Sequence, residues 1–366
     1  MIEAILLAIA ALYLVEYTIM RIGQARMRRR AVRVVPETWP RVTVLVAARN
    51  EEANIEACLQ ALLAQDYPPE RMQIIAVNDE SEDRTLELMC AHADANPGRL
   101  TIVSTVAENS HARGKARAIA QGMDVATGEI VLLTDADCTP ASTWVRAVVE
   151  HFHGDVAVCG GFTVISAHDL LGSMQQLDWV HLQTLGSAAL GLGFPVGVIG
   201  NNFSFRRSAY EAVGGYRAVP FTVTEDFALY QAMTRNGAGA VFPCSREALV
   251  YTNPCASLGE VMRQKQRWAR GGTENTVPGY TLFIVAVLIM FAFTLAPFVS
   301  LTAWAVVWGV KIFCDLLVLV PSFRILRMTG QLKWFPAFEF YFVVQISMIP
   351  LLLMSRTVVW KGREYR

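Results

Sequence analysis

Two aspartates, Asp135 and Asp137, lie at the end of an apolar run in the middle of the chain, "VLLTDADC". Carboxylate oxygens are the ligands that hard divalent cations prefer, and Mg²⁺ takes its other ligands from phosphate oxygens and water. Asp-x-Asp spacing alone is also common in solvated turns. A buried strand that ends at the pair would hold both side chains rigidly, so the surrounding elements decide between these interpretations.

The elements around the pair alternate between strand and helix patterns. Short β-branched runs predict strands in "RVTVLVAA", "MQIIAVNDES", "LTIVST" and "EIVLLTDAD", and helical periodicity follows the first three. This alternation predicts an α/β domain with a largely parallel sheet. Ligands of such sheets bind at the carboxyl ends of the strands, where three of these runs end in polar clusters. The clusters are residues 49–52, 78–83 and 135–137.

The composition excludes some classes of function. Lysine and arginine together number 32, as do aspartate and glutamate, so the net charge of zero gives no sign of a nucleic-acid partner. The seven cysteines form no CxxC pair, which argues against a disulfide framework or a zinc site and fits a reducing cytosol.

Hydrophobic residues make up 53% of the chain and are concentrated at its two ends. We predict an N-terminal transmembrane anchor at residues 1–21, a soluble domain at 40–272 and transmembrane helices within 277–355. The apolar, glycine-rich segment 164–200 contains Asp178 and His181, so we interpret it as interfacial and not as a span. Lys311 and Asp315 are four residues apart and are predicted to pair inside the helix bundle.

The charges beside the anchor predict its orientation. Basic residues follow the apolar run between Arg21 and Arg33, which places this stretch and the soluble domain in the cytoplasm. Counting spans from the anchor puts the basic tail, residues 356–366, on the outer side, against the same rule. The sequence leaves the side of the tail open.

Six motifs in the chain resemble those of membrane-bound family 2 glycosyltransferases. They are "VLVAARNEE", "AVNDESEDRT", "GKARAIAQG", "LLTDADC", "TED" and "QKQRW". This family is similar to ceramide glucosyltransferase and to the catalytic domains of cellulose and hyaluronan synthases. The resemblance implies a GT-A fold, a nucleotide-sugar donor, a divalent metal and inversion at the anomeric carbon.

The resemblance assigns a nucleotide pocket to the first two strand ends. Ala48 and Glu51 would line this pocket, Asp79 would contact the uracil and Lys115 would approach the nucleotide. The family's "DDGS" is "NDES" here, so Glu80 stands where the family has glycine. This departure puts the conformation of the local turn in question.

The resemblance also gives roles to four carboxylates. Asp135 would contact the ribose, and Asp137 would bind Mg²⁺ or Mn²⁺ at the diphosphate. Asp226 would be the general base, and Glu225 would shape its pocket. Taken alone, Glu-Asp before an apolar helical run is also typical of a helix N-terminus.

The acceptor side is assigned from two further stretches. Gln264, Arg267 and Trp268 match the family's QxxRW pattern, which implies contacts with the diphosphate and the acceptor. The same stretch is also a basic amphipathic helix that could rest on anionic lipid. Asn202 in "GNNFSFRR" is the predicted contact in the acceptor-side loop.

These assignments predict an inverting enzyme of the inner cell membrane that transfers sugar from a UDP-sugar to a lipid acceptor. A processive polysaccharide synthase is the alternative, because QxxRW occurs in both kinds of enzyme. A nucleotidyltransferase should carry a basic, glycine-rich triphosphate loop, which "VAARNEEAN" lacks. An inactive scaffold should have lost at least one of Asp135, Asp137, Asp226 and Arg267, and all four are present.

Overall fold

The computed structural model describes residues 1–272, 277–354, 358–360 and 363–365. Part of the predicted basic tail, namely residues 356–357, 361–362 and 366, lies outside the described residues. The chain divides into two compact units. The sheet unit comprises Ala31–Val164 and Gly197–Asn253, and the helical unit comprises Met1–Arg30, Ile165–Val196 and Pro254–Arg366.

Twelve strands are formed by the described residues. They are β1 (Val42–Ala48), β2 (Met72–Asn78), β3 (Leu100–Ser104), β4 (Ile130–Asp135), β5 (Cys138–Pro140), β6 (Val156–Gly160), β7 (Thr163–Ile165), β8 (Phe203–Arg206), β9 (Gly239–Val241), β10 (Val250–Thr252), β11 (Val358–Trp360) and β12 (Arg363–Tyr365).

Thirteen α-helices are formed by the described residues. They are α1 (Ile2–Arg30), α2 (Ile55–Leu63), α3 (Thr85–Ala95), α4 (Lys115–Asp124), α5 (Trp144–Val149), α6 (Leu170–Gly191), α7 (Arg207–Ala212), α8 (Gly215–Ala218), α9 (Glu225–Arg235), α10 (Leu258–Gly272), α11 (Val277–Leu295), α12 (Leu301–Ile325) and α13 (Phe335–Met354).

A seven-stranded mixed sheet forms the core of the sheet unit, in the order β3-β2-β1-β4-β8-β6-β9. The first four strands in this order are parallel, and β8 runs antiparallel to both of its neighbours. All but one residue in each of β1 and β4 is buried, as expected for central parallel strands covered on both faces. The four predicted strands are therefore confirmed. Strand β1 ends at its predicted last residue, and the other three end one to three residues before their predicted ends.

Helix α1 is longer than the predicted anchor. It runs without interruption from Ile2 to Arg30 and so includes the basic stretch after the apolar run. Arginine, alanine, methionine and glutamine are strong helix formers, which explains why the helix does not end with the apolar residues. The three arginines of its last turn also interact favourably with the negative end of the helix dipole.

Helices α1 and α6 cross at small residues within the helical unit. A Cβ atom on Gly23 would meet the carbonyl oxygen of Ala188, and one on Gly191 would meet that of Gly23. Glycine at these positions lets the two backbones approach closely, as is common where helices pack in membranes. Most of α6 is buried, and it packs against α1, α12 and α13.

Four stretches of helix within the described residues are long and apolar enough to cross a membrane, judged by length and composition. They are Ile2–Arg30, Val277–Phe298, Leu301–Ile325 and Thr329–Met354. The last three of these stretches correspond to the transmembrane helices predicted within residues 277–355. Helix α6 is not among them, and its interfacial position stays a prediction.

A cluster of ionisable side chains is buried among these helices. Lys311 donates a hydrogen bond to Asp315 Oδ2 at 2.7 Å, which confirms the predicted pair, and forms a second ion pair with Glu339. Asp315 also accepts a hydrogen bond from Tyr13 at 2.6 Å. His181 Nε2 lies 3.7 Å from Asp315 Oδ1, so α1, α6, α12 and α13 all contribute to the cluster. Each buried charge therefore has a partner on another helix.

We expect Lys311→Met to destabilise the helical unit by about 3–5 kcal/mol, because Asp315 and Glu339 would lose their buried counter-ion. The thermal unfolding midpoint of the purified protein in a neutral detergent measures this effect. Lys333→Met is the matched control, since Lys333 is exposed. Equal midpoints for the two variants would contradict the stabilising role of the cluster.

Candidate active site

The carboxyl ends of β1, β2 and β4 meet at one edge of the sheet. Ala48 at the end of β1 pairs with Asn78 at the end of β2, and Ala47 pairs with Asp135 at the end of β4. The backbone N–H of Asp79 donates to the carbonyl of Ala48 at 2.8 Å, which ties the segment after β2 to the end of β1. The predicted nucleotide-binding residues of the three motifs are thus brought to the same edge.

Lys115 connects the strand edge to two helices. Its ammonium donates to Asp135 Oδ1 at 2.5 Å and lies 3.7 Å from Glu225 Oε1. Burial opposes the charged form of Lys115, but attraction by Asp135, Glu225 and Asp226 outweighs it, and its pKa is raised above the ordinary value. Gly114, which precedes α4, has a φ of 53°, a conformation that glycine adopts without strain. The lysine therefore stays charged and is held among the carboxylates.

Asp226 lies in the first turn of α9, beside Glu225. Its Oδ1 atom accepts a hydrogen bond from the backbone N–H of Phe227 at 2.8 Å. Its other oxygen faces Gly200, where a Cβ atom would lie 2.7 Å from Oδ2. Glycine at 200 therefore leaves the space that the carboxylate occupies, a positioning role that the sequence did not indicate.

The predicted base-binding aspartate is held by arginines that the sequence analysis did not single out. Arg117 donates to Asp79 Oδ1 at 2.9 Å and to Glu80 Oε1 at 2.7 Å. Arg49 Nη1 donates to the carbonyl of Asp79 at 3.3 Å and lies 3.5 Å from Glu80 Oε2. Arg117 follows Lys115 by two residues on α4, and residues at this spacing on a helix do not share a face, so the sequence carried no signal for Arg117.

Glu80, which stands where the family has glycine, has a left-handed backbone conformation. Its φ is 57°, in the left-handed region that residues other than glycine, asparagine and aspartate rarely adopt. The turn questioned from the sequence is therefore formed. Its side chain lies between Arg49 and Arg117, whose charges stabilise it there.

Glu51 is buried at the start of the segment that leads to α2. Its backbone N–H donates to Thr85 Oγ1 at 2.7 Å, and Asn54 donates to its Oε2 atom at 2.8 Å. These bonds hold the segment after β1 against the start of α3. The contact of Glu51 with a nucleotide stays a prediction.

Asn202 is engaged in the core of the sheet unit. Its Oδ1 atom accepts from Trp144 Nε1 at 2.9 Å, and its amide donates to the carbonyls of Phe162 and Ala248 at 2.9 and 3.0 Å. Only 1% of the residue is exposed. These bonds give Asn202 a structural role, and the predicted acceptor contact would require them to be exchanged.

The donor set at Asp135 and Asp137 fits a hard divalent cation. Within the described ranges there is no group of three histidine, cysteine, aspartate or glutamate residues arranged to hold a metal. A cation bound here would take its other ligands from phosphate oxygens and water. Cys58 and Cys138 lie close by, but burial, followed by the charge of Asp137, raises the pKa of both thiols. A hard divalent cation prefers carboxylate oxygens to sulfur, so the carboxylates are the ligands expected here.

Gln264, Arg267 and Trp268 lie on α10 in the helical unit. The Trp268 ring packs edge-on against Trp179 with 5.2 Å between centroids, and the Lys265 ammonium lies 4.7 Å from its centre. Lys265 in turn forms a buried ion pair with Asp178 of α6. Helix α10 is thereby fixed to α6, and the contacts predicted for these three residues with donor and acceptor stay predictions.

Two family profiles match this chain. The profile of glycosyl transferase family 2 matches residues 43–214, and that of glycosyl transferase family group 2 matches residues 130–357. The second match alone covers more than half of the chain, and together the two include both the strand-edge residues and the QxxRW helix.

Two curated relatives are similar to more than half of the chain. A probable glycosyltransferase of Bacillus subtilis, YdaM, is 31% identical over 63% of this chain, and a poly-beta-1,6-N-acetyl-D-glucosamine synthase of Staphylococcus aureus is 30% identical over 64%. The chain spans 55% of the length of each of these relatives.

A solved structure shows the fold. A mannosyltransferase from Pyrobaculum calidifontis, determined in complex with GDP-Man and Mn²⁺, aligns with a TM-score of 0.61 at 20% identity. The alignment covers 97% of this chain and 99% of the mannosyltransferase. The predicted GT-A fold is therefore confirmed. The two profile matches, one of them over more than half of the chain, establish that this chain belongs to glycosyltransferase family 2.

Proposed function

We propose that this protein is a membrane-embedded inverting glycosyltransferase that transfers one sugar from a UDP-sugar to a lipid acceptor. The observation that carries the proposal is the convergence of Asp135, Lys115 and Glu225 at the carboxyl edge of the sheet, beside Asp226. Carboxylates that face a buried cation at this edge are suited to a metal–diphosphate and to proton transfer.

The strand-edge carboxylates have separate roles in the proposed reaction. Asp137 would bind Mg²⁺ or Mn²⁺, and Asp135 would contact the ribose. The Mn²⁺ in the solved mannosyltransferase of similar fold supports this choice of metal. When bound, the cation offsets the charge of the departing diphosphate. Lys115 keeps the neighbouring carboxylates together before the donor binds, and its raised pKa keeps it cationic throughout.

Asp226 acts as the general base. Its carboxylate accepts the proton of the acceptor hydroxyl as the oxygen attacks the anomeric carbon from the face opposite the leaving diphosphate, which inverts the configuration. The hydrogen bond from the Phe227 N–H and the close approach of Gly200 limit the positions that this carboxylate can take. Such positioning favours attack by an oriented hydroxyl over attack by water.

Uracil is the proposed base of the donor nucleotide. Asp79 is 4% exposed and can accept the N3–H of uracil, while Arg117 can donate to a ring carbonyl. The solved mannosyltransferase holds GDP-Man, so the base must be tested directly. Competition of UDP and GDP for the metal-loaded protein makes that comparison.

The membrane side of the proposal depends on the four apolar helices. Together they would form a multi-pass anchor in the inner cell membrane, with the catalytic domain in the cytoplasm because of the arginines at the end of α1. One anchor and three further spans offer a sheltered place for a lipid tail more readily than a lined channel for a polymer.

Processive polysaccharide synthesis is the second candidate function. The similarity to a poly-beta-1,6-N-acetyl-D-glucosamine synthase supports it, at 30% identity over 64% of this chain. Because the chain spans only 55% of that relative, the relative's polymerising activity is not carried over to this chain. The product of the reaction decides between the two candidates.

We expect donor binding and catalysis to be lost separately in two variants. Asp137→Ala should abolish metal-dependent UDP binding, whereas Asp226→Asn should retain it and reduce transfer by about 10² or more, because only the proton acceptor is lost. Calorimetric titration of UDP with Mn²⁺, together with release of nucleoside diphosphate from the donor, measures both effects.

Asp94→Ala is the matched control for this pair, since Asp94 is exposed at the other end of α3 from the strand edge. It should change neither UDP binding nor transfer. Equal loss of UDP affinity in Asp137→Ala and Asp226→Asn would refute the division of roles.

We expect radiolabelled UDP-sugar to give a product that partitions into organic solvent when the enzyme is supplied with native lipid. The limited number of spans predicts single transfer to a hydroxyl or phosphate at the head of an apolar acceptor, such as a polyprenyl phosphate or a glycerolipid. Thin-layer chromatography and mass spectrometry of the organic phase identify the product. Label recovered as a water-soluble polymer that glycosidases shorten progressively would favour the processive alternative.

A further inference from the structure

The sheet unit has an open cavity of about 610 Å³ at the edge opposite the candidate active site. Its walls include the residues that enter β1 and β4, namely Arg41 and Gly128–Ile130. The ends of these strands carry Ala48 and Asp135. Each strand has six or seven residues, with a rise of about 3.3 Å per residue. The cavity therefore lies roughly 20 Å from the carboxylates of the candidate active site.

Arginine dominates the charged lining of this cavity. Four arginines line it, against a single carboxylate, Glu129. The guanidinium of Arg206 forms hydrogen bonds within the protein, because it donates to Glu129 Oε1 and to the carbonyl of Phe152, both at 2.7 Å. Arg207 is likewise held, by Glu211 at 2.7 Å and by the carbonyl of Ala126 at 2.5 Å.

Arg41 and Arg71 are the remaining two arginines. Among the residues that the structure describes, no carboxylate lies within ion-pair distance of either guanidinium. Arg41 is exposed and Arg71 is half-buried, so both can reach a ligand in the cavity. The cavity thus presents two uncompensated positive charges on side chains whose geometry matches phosphate oxygens.

The wall that carries these charges is fixed before any ligand binds. Tyr67 donates to the carbonyl of Pro40 at 2.7 Å and packs edge-on against Trp39 with 5.4 Å between centroids. Arg146 lies 4.5 Å from the centre of the Trp39 ring. Glu129 N–H donates to the carbonyl of Arg41 at 2.8 Å, which joins the entrances of β1 and β4. A rigid, partly apolar wall lowers the entropic cost of binding.

We propose that this cavity is a second anion site, which binds a phosphate-bearing organic ligand through Arg41 and Arg71. Trp39, Pro36, Pro40 and Phe152 supply apolar surface for the organic part of the ligand. The phosphate can come from two sources, namely the headgroup of an anionic phospholipid or a soluble phosphorylated metabolite. The site is separate from the proposed transfer reaction, so it does not depend on that proposal.

Calorimetric titration of inorganic pyrophosphate tests the site. The protein is held in phosphatidylcholine nanodiscs with EDTA, which suppresses divalent-dependent binding at Asp137. We expect the double variant Arg41→Gln/Arg71→Gln to bind pyrophosphate at least about tenfold more weakly, because two charge-assisted contacts are lost. The variant Arg41→Lys/Arg71→Lys should lose less affinity, since it keeps both charges.

Two controls make the result specific to the cavity. Arg235→Gln/Arg246→Gln removes the same charge from exposed positions outside the cavity and should leave the affinity unchanged. Asp137→Ala should also leave it unchanged, because it lies at the opposite edge of the sheet. Wild-type affinity in Arg41→Gln/Arg71→Gln, or no pyrophosphate binding by the wild type, would overturn the proposal.

The source of the phosphate is decided by repeating the titration in nanodiscs that contain phosphatidylglycerol. If the headgroup occupies the cavity, phosphatidylglycerol should weaken pyrophosphate binding to the wild type about tenfold or more and should have no effect on the double glutamine variant. If the ligand is a soluble metabolite, the wild-type affinity should be the same in both lipids. Either result supports an anion site, provided that affinity falls in the glutamine variant.

Discussion

The ion pair between Lys115 and Asp135 is the interaction on which the candidate active site depends. Carboxylates that are concentrated at one sheet edge repel one another, and this repulsion grows as water is excluded. Lys115 lies within 2.5 Å of Asp135 and 3.7 Å of Glu225, so one cation stabilises acidic groups from a strand and a helix together. The buried strand β4 and the glycine turn before α4 bring these two side chains together.

In the helical unit, too, a buried lysine is stabilised by carboxylates. Lys311 lies near the middle of α12, fully buried, where an unpaired charge would be very costly. Asp315 supplies a partner one turn away, and Glu339 and Tyr13 add contacts from two other helices. The interaction therefore fixes which faces of these helices meet, a specificity that lipid-like apolar side chains alone provide poorly.

The sequence predicts the features that depend on local pattern. The β-branched runs give the four parallel strands, because a strand buried on both faces must be apolar along its length, and their shared direction predicts the edge where Asp135 and Asp137 lie. Features that depend on distant partners were missed. The bonds that engage Asn202 come from residues 40 to 58 positions away, and Glu339 is 28 positions from Lys311. The hydrophobic periodicity of the sequence carries no information about which distant residues pair.

Glu80 shows how a tertiary interaction can replace a local preference. A left-handed backbone costs a residue other than glycine about 1–2 kcal/mol, so the turn after β2 is unfavourable for this sequence taken alone. Arg49 and Arg117 offset that cost through the Glu80 side chain, and Arg117 also binds Asp79. The position of the predicted base-binding carboxylate is therefore fixed by the charges that stabilise the turn. Because Arg117 binds both Asp79 and Glu80, the departure from the family pattern links the turn after β2, as well as the base pocket, to α4.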